Sequence, residues 1–383
     1  MPTAPGPTGA RVRREPPHHV VWSCFRGLYG DNPRALHEGW PSRGVPARHT
    51  WLCLPETVGT VPAGVTPVLY RTPEARAALE SADVVVANDC LSMEWDKQPG
   101  TFYLQTWHGT PLKRIHHDVQ PARPGWLDAA DRDVARWDLL LSPNPVSTAR
   151  LRGAFGYTGE VAETGYPRND ALSAPDRDAV RARVRARLGI PDGVTAVLYA
   201  PTWRDDLVLD RAGDAPDFEL PVDLADFAGR LGGDHVLLVR LHNIVSGRLA
   251  VPPGLPVVDV TDDTDTAGLY LAADVLVTDY SSAMFDFAVT GRPILLFPYD
   301  LERYRDSLRG FYDDLEEIAP GPLLRTSAEL VGAIRTVTEH SARWAGAYAR
   351  FRDTFCSLED GHATDRVLDL LFGTRPTTPP GRG

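Results

Sequence analysis

Short runs of β-branched and aliphatic residues recur along this chain, each followed by a stretch long enough for a helix. That alternation points to parallel sheets flanked by helices. The strand candidates are His19 to Cys24, Asp83 to Ala87, Phe102 to Gln105, Asp138 to Leu141, Ala196 to Tyr199, Val236 to Leu241, Val257 to Val260, Asp274 to Val277 and Pro293 to Phe297. A length of 383 residues, 43% of them apolar, suits two modest cores better than one large one. Between Ser173 and Gly193 the pattern breaks at Pro175, resumes as a helix to about Leu188, and stops at Gly189 and Pro191-Asp192-Gly193. The expected organisation is a disordered tail over 1–18, a first α/β domain over 19–172, a second over 173–350, a helical segment over 351–373 and a disordered tail over 374–383. Both tails are assigned from their wealth of Pro, Gly, Thr and Arg.

Forty Lys and Arg against 51 Asp and Glu give a net charge of −11, which opposes attraction to a nucleic-acid backbone but leaves room for a local cationic cluster. Cys24, Cys53, Cys90 and Cys356 lie far apart and form no Cys-x-x-Cys pair, as expected of a reducing, cytosolic compartment. Arg11, Arg13 and Arg14 are followed by Glu15-Pro16-Pro17-His18-His19, where a signal peptide needs an apolar core. No window reaches the roughly 18–20 apolar residues that span a bilayer, so any membrane contact is expected to be peripheral. Between Arg177 and Leu188 the apolar residues Val180, Val184 and Leu188 fall at four-residue spacing among Arg177, Arg181, Arg183, Arg185 and Arg187. So narrow a stripe suits packing on its own domain better than lying on a membrane.

The chemistry-bearing clusters follow strand candidates directly, at the sheet edge where open parallel α/β sheets bind ligands. After Phe102 to Gln105 comes Thr106-Trp107-His108-Gly109-Thr110-Pro111-Leu112-Lys113. There His108 suits a general base or a phosphate ligand, Gly109 permits close approach, and Thr110 can cap a following helix. After Ala196 to Tyr199 comes Ala200-Pro201-Thr202-Trp203-Arg204, and the next strand ends in Arg240-Leu241-His242. Arg240 and His242 alternate and so share one face, suited to an anion. After Asp274 to Val277 comes Thr278-Asp279-Tyr280-Ser281-Ser282, then a helix-like run to Val289. Ser281 and Ser282 either cap that helix or, with its free N–H groups, hold an anion. Asp286, one turn further in, is placed to reach a ribose or polyol, and Arg168 lies in the turn Gly165-Tyr166-Pro167-Arg168-Asn169-Asp170.

There is no Gly-x-Gly-x-x-Gly, Walker loop or Gly-x-Ser-x-Gly elbow, which argues against dinucleotide oxidoreductases, P-loop NTPases and α/β-hydrolases. Asp263-Thr264-Asp265 spells a metal motif of some nucleotide-sugar enzymes but suits capping of the helix around Leu269. His116-His117-Asp118 has metal-ligand residue types, but adjacent histidines rarely reach one ion together, and no metal is assigned.

From Cys24-Phe25-Arg26-Gly27 to about Tyr312 the ordered motifs resemble the CDP-glycerol glycerophosphotransferase family, which includes teichoic acid primases and polymerases. The most specific pieces are Gln105 to Ile115, Thr164 to Asp170, Leu198 to Arg204, Arg240 to His242, and Val277 to Phe287 with Tyr299 to Tyr304. The resemblance implies a GT-B-like fold, with two Rossmann-like domains facing a cleft, the first on the acceptor side and the second holding the donor nucleotide. It carries donor-site roles onto His108 to Leu112, Arg168, Pro201, Thr202, Arg240 to His242, Ser281, Ser282 and Asp286. The implied reaction passes a polyol phosphate from CDP-glycerol or CDP-ribitol to a lipid-linked or glycan hydroxyl, releasing CMP, at the inner face of the cell membrane. His108 and His242 are the expected catalytic residues, with His108 as general base and no cofactor beyond the donor. Arg168, Arg240, His242, Ser281 and Ser282 would hold the pyrophosphate. A GT-B glycosyltransferase using a nucleotide sugar, or a non-catalytic nucleotide-binding scaffold, would share much of this pattern.

Overall fold

The computed structural model describes residues 11, 12, 14–119, 125–202, 220–241, 249, 251–305 and 310–373. Strands β1 (His18–Ser23), β2 (Ala47–Cys53), β3 (Val65–Leu69), β4 (Val84–Ala87), β5 (Phe102–Gln105), β6 (Leu139–Ser142) and β7 (Glu160–Glu163) form a 7-stranded sheet in the order β3-β2-β1-β4-β5-β6-β7. Strands β8 (Thr195–Tyr199), β9 (His235–Val239), β10 (Val257–Asp259), β11 (Val275–Thr278) and β12 (Ile294–Leu296) form a 5-stranded sheet in the order β10-β9-β8-β11-β12. All these pairings are parallel, with Val21 opposite Thr50 and Val85, and Leu198 opposite Leu238 and Leu276. Central strands such as β1, β4, β6 and β11 are buried along their whole length, because helices cover both faces. In each sheet the order reverses once, between β1 and β4 and between β8 and β11. The crevices beyond those strand ends are where doubly wound folds bind ligands.

Every strand expected from the sequence is present within a residue or two, and β2, β3 and β7 are additional. β3 and β7 are edge strands that need less apolar surface: β3 contains Pro67, and β7 reads Glu-Val-Ala-Glu. β2 opens with Arg48 and His49 and is apolar mainly at its far end.

The C-terminal segment departs from the expected boundaries. The helix Val337–Phe355 runs through residue 351, so no boundary falls there. Its Phe351 stacks on Phe285 of the second domain at 5.1 Å between ring centroids. The chain then crosses back, and the helix Ala363–Phe372 buries Val367, Leu368 and Leu371 against Val20, Trp22 and Trp40 of the first domain. Asp170 caps this helix by accepting from Ala363 N at 2.9 Å and Thr364 N at 2.7 Å. The N-terminal tail is also shorter than expected: Arg11 N and Val12 N donate to Leu371 O at 3.0 and 3.1 Å, and Arg14 Nη1 donates to Asp83 at 2.6 Å.

The arginine-rich helix Arg177–Arg187 packs on its own domain. Val184 is buried, and Val180 and Leu188 pack against the second domain's core. Arg181 and Arg185 donate to the Ala272 carbonyl, at the end of the helix Thr266–Ala272, and pair with Asp274. Those carbonyls have no partner within their own helix, and the guanidiniums satisfy them. Among the described residues, no helix is long and apolar enough to cross a membrane.

Because Leu368 is fully buried between lobe and crossover helix, Leu368→Ala should destabilise the fold by about 2–4 kcal/mol. A urea midpoint equal to that of the parent would show that the crossover helix contributes no packing.

Candidate active site

His108 lies past the C-terminal end of β5, and its geometry is imposed by its neighbours. Trp107, the residue before it, takes φ +52, a left-handed conformation unusual for an aromatic residue. That turn is held by Trp107 N donating to Gln105 Oε1 at 2.9 Å, and by Asn32 Nδ2 donating to the Trp107 carbonyl at 3.0 Å. The half-buried imidazole lies 4.0 Å from the Trp107 ring and 5.0 Å from Phe25, centroid to centroid. Its Nδ1 lies 2.6 Å from the Asn88 carbonyl. A carbonyl can only accept, so Nδ1 carries the proton, and Nε2 of the neutral ring keeps its lone pair.

The loop after His108 joins the two lobes. A Cβ built on Gly109 would meet Ser282 Oγ at 2.8 Å, so any larger residue would force Ser282 to shift. Gly109 N donates to Tyr166 Oη at 3.3 Å. Thr110 caps no helix; its hydroxyl accepts from Asn144 Nδ2 at 3.4 Å. Pro111 and Leu112, expected to touch the donor, make packing and hydrogen-bond contacts within the protein. The Pro111 carbonyl accepts from Arg150 at 2.8 Å, and Leu112 is buried in the core of the second domain. Lys113 bridges antiparallel to Phe311, and Leu112 O accepts from Tyr312 N at 2.8 Å.

Arg168 and Asp286 were expected to reach the donor separately, but they bind each other. Arg168 Nη2 donates to Asp286 Oδ2 at 2.8 Å, while its Nη1 donates to Asp31 Oδ2 at 2.7 Å and to the His108 carbonyl at 2.8 Å. The other Asp286 oxygen accepts from Asn169 Nδ2 at 3.0 Å, which leaves that carboxylate engaged at both ends. Burial acts against the Arg168 charge, but Asp286 and Asp31 outweigh it and hold the guanidinium's pKa above its ordinary value. Beside this cluster, burial and the nearby Asp286 charge push the Glu359 carboxyl up to about 8. Glu359 Oε1 accepts from Tyr166 N at 3.1 Å, and its buried Oε2 has no partner among the described residues.

The second sheet contributes the remaining groups. Arg240, just past β9, donates from Nη2 to Thr266 at 3.0 Å, and its buried Nε has no partner among the described residues. Leu241 is a core residue whose N–H is taken by Thr261 Oγ1 at 3.1 Å, so only its carbonyl could serve a ligand. Pro201 and Thr202 follow β8 at the switch point, where Thr202 N donates to Asp279 Oδ1 at 2.7 Å. Ser281 Oγ accepts from Ala283 N at 3.3 Å, whereas Ser282 makes no side-chain cap and turns its hydroxyl towards Gly109. His242, Trp203 and Arg204 lie outside the described residues. Asp265 caps the helix Thr266–Ala272 by accepting from Gly268 N at 3.1 Å, as its position suggested.

The structure therefore gathers His108, Gly109, Arg168, Ser282 and Asp286 at one contact between the lobes, with Arg240 and Thr202 at the second sheet's edge. Asp31, Asn32, Asn88 and Glu359 were not anticipated. Asn88 follows β4 directly, and Asp31-Asn32 open the first helix after β1, so the strand-edge rule that found His108 also covers them.

Two parallel α/β domains meeting at their strand ends define a GT-B-like transferase fold. The model of the family described as CDP-Glycerol:Poly(glycerophosphate) glycerophosphotransferase matches residues 10–373, and the chain belongs to that family of enzymes. It is 41% identical over 370 residues to a teichoic acid glycerol-phosphate transferase of Staphylococcus aureus, covering 92% of each chain. It is 35% identical to a teichoic acid poly(glycerol phosphate) polymerase of Bacillus subtilis, covering 92% of this chain and 48% of that one. The solved wall teichoic acid polymerase TagF superposes with a TM-score of 0.84 at 33% identity, over 93% of this chain and 89% of that one. A histidine-to-asparagine variant of TagF soaked with CDPG has also been solved.

A buried acid with a raised pKa lowers stability as it ionises. The Glu359 contribution is complete below about pH 4.5 and is lost as pH rises through about 8. Glu359→Gln should therefore match the parent at pH 5 and exceed it by about 1–3 kcal/mol at pH 9. Parallel urea midpoints for the two proteins across that range would exclude a neutral Glu359.

Proposed function

We propose that this chain moves a glycerol phosphate unit from CDP-glycerol to an acceptor hydroxyl in the assembly of a teichoic-acid-like polymer, with His108 as general base. The observation that carries the reading is the Nδ1 contact with the Asn88 carbonyl, which leaves Nε2 as a proton acceptor. In the proposed step the acceptor oxygen bonds to the phosphorus bearing the glycerol, and its proton passes to Nε2. The bond from that phosphorus to the bridging oxygen breaks, and CMP leaves with the electron pair. Such a reaction depends on positioning and on spreading negative charge.

Arg240, with a donor to spare, is the proposed cation for the pyrophosphate, assisted by Ser281, Ser282 and His242. Arg168 is assigned a positioning role, because its charge is shared between two carboxylates and one of its N–H groups holds the His108 carbonyl. Asp286 anchors Arg168. No resident cofactor enters the step. Both glycerol-phosphate relatives favour a glycerol over a ribitol unit. The acceptor is proposed to be lipid-linked and met on the cytoplasmic side, at the inner face of the membrane.

The test is His108→Asn, which keeps a side-chain N–H donor and removes the base. CDP-glycerol affinity should stay within about threefold of the parent, while CMP release falls by roughly 10²–10⁴-fold. Undiminished CMP release would remove His108 from the mechanism. UDP release from UDP-sugars, with none of CMP from CDP-glycerol, would replace the reading with a glycosyltransferase.

A further inference from the structure

Adjacent histidines in ordinary backbone point apart. His116 instead adopts φ +50, and the His116 and His117 rings come to 4.6 Å between centroids with planes 80° apart. Asp118 takes no part, since its carboxylate accepts from the Tyr312 hydroxyl. The third member is Asp131, on the helix Asp128–Val134. One ring nitrogen from each histidine and one Asp131 oxygen lie within 4.8 Å of one another. His117 Nε2 is 2.8 Å from Asp131 Oδ1, and His116 Nε2 is 3.7 Å from the same oxygen. A tetrahedral zinc with ligand bonds of about 2.0–2.1 Å sets its ligand atoms roughly 3.3–3.4 Å apart, between those two separations.

A second observation points to a cation. The His116 side chain is 7% exposed, and its buried Nε2 has no hydrogen-bond partner among the described residues. Its Nδ1 lies 3.1 Å from the Ala154 carbonyl, so Nδ1 carries the proton and the Nε2 lone pair faces the Asp131 carboxylate. Two electron-rich atoms opposed in this way call for a positive centre between them. A ring N–H held by a backbone carbonyl is also the usual support of a metal-bound histidine.

We propose that His116, His117 and Asp131 form a binding site for one zinc ion. Two imidazoles and one carboxylate suit zinc, whereas magnesium and calcium prefer all-oxygen sets. The ion would clip the segment that follows the His108 loop to the helix Asp128–Val134. That clip backs the active site, because the His116 and Trp107 rings both pack on Phe155, at 4.8 and 4.7 Å. It takes no part in the transfer step.

The test uses the untagged full-length chain, stripped with EDTA and titrated with zinc chloride at pH 7.5 by calorimetry, with metal analysis after desalting. One zinc per chain is expected, together with a rise in Tm. His117→Gln and Asp131→Asn alter half-exposed positions and should fold normally; each should weaken binding at least tenfold and abolish the rise in Tm. Absence of zinc binding at micromolar concentration, or parental affinity in both variants, would overturn the proposal. So would a preference for magnesium over zinc.

Discussion

The guanidinium of Arg168 lies where four chain segments meet: the start of the first helix at Asp31, the loop carrying His108, its own turn after β7, and the helix bearing Asp286 in the other lobe. Burying a charge is costly unless it is paired, and removing one partner from such a group commonly costs about 3–5 kcal/mol because the rest are left uncompensated. Two carboxylates share this one guanidinium, so the cluster carries surplus negative charge. Burial, with the nearby Asp286 charge, holds the Glu359 pKa near 8. Arg168 divides its charge between the Asp31 and Asp286 carboxylates, which supports the positioning role proposed for it. The cation proposed for the donor therefore stands at the second sheet's edge, where Arg240 Nε has no hydrogen-bond partner among the described residues.

Backbone strain is concentrated on the other side of the same contact. Phe25, Arg26 and Trp107 all have positive φ without being glycine, and each such residue costs of order 1 kcal/mol or more. Asn88 connects the strained pieces. Its side-chain oxygen accepts from Phe25 N at 2.9 Å, and its carbonyl fixes the His108 ring. One residue at the switch point of the first sheet thus sets both the aromatic wall beside the imidazole and the imidazole's tautomer.

Much of this was legible in the sequence, because parallel α/β folds place their functional groups after strands and the strands are marked by β-branched runs. His108, Arg240 and Ser282 were singled out in this way, and Arg168 by its place in a turn. The division of labour within a motif was not legible. Nothing in the order Gly109-Thr110-Pro111-Leu112 distinguishes a residue that lines a cleft from one that plugs the opposite lobe, and Leu112 proves to be the plug. Leu241, between two cations, was likewise read by its neighbours and turns out to be core. The crossover at Glu359 escaped notice for a related reason. An amphipathic helix such as Ala363–Phe372 shows which face it buries but not which domain receives it.

The joining of the lobes bears on how the site can work. His108, the proposed base, stands on the first lobe, and Arg240 and the serines stand on the second, so the proposed arrangement is useful only when the lobes are in register. In many two-lobed enzymes a bound ligand sets that register. Here Leu112 inserts into the second core, Arg150 donates to Asp313 at 2.6 Å, Arg168 spans to Asp286, and the C-terminal helix returns to the first lobe. Gly109 is packed so closely on Ser282 that a single methyl group would not fit without a shift. With register already built into the chain, the energy of donor binding need not be spent on bringing the lobes together, and more of it remains for holding the pyrophosphate in line with the incoming hydroxyl.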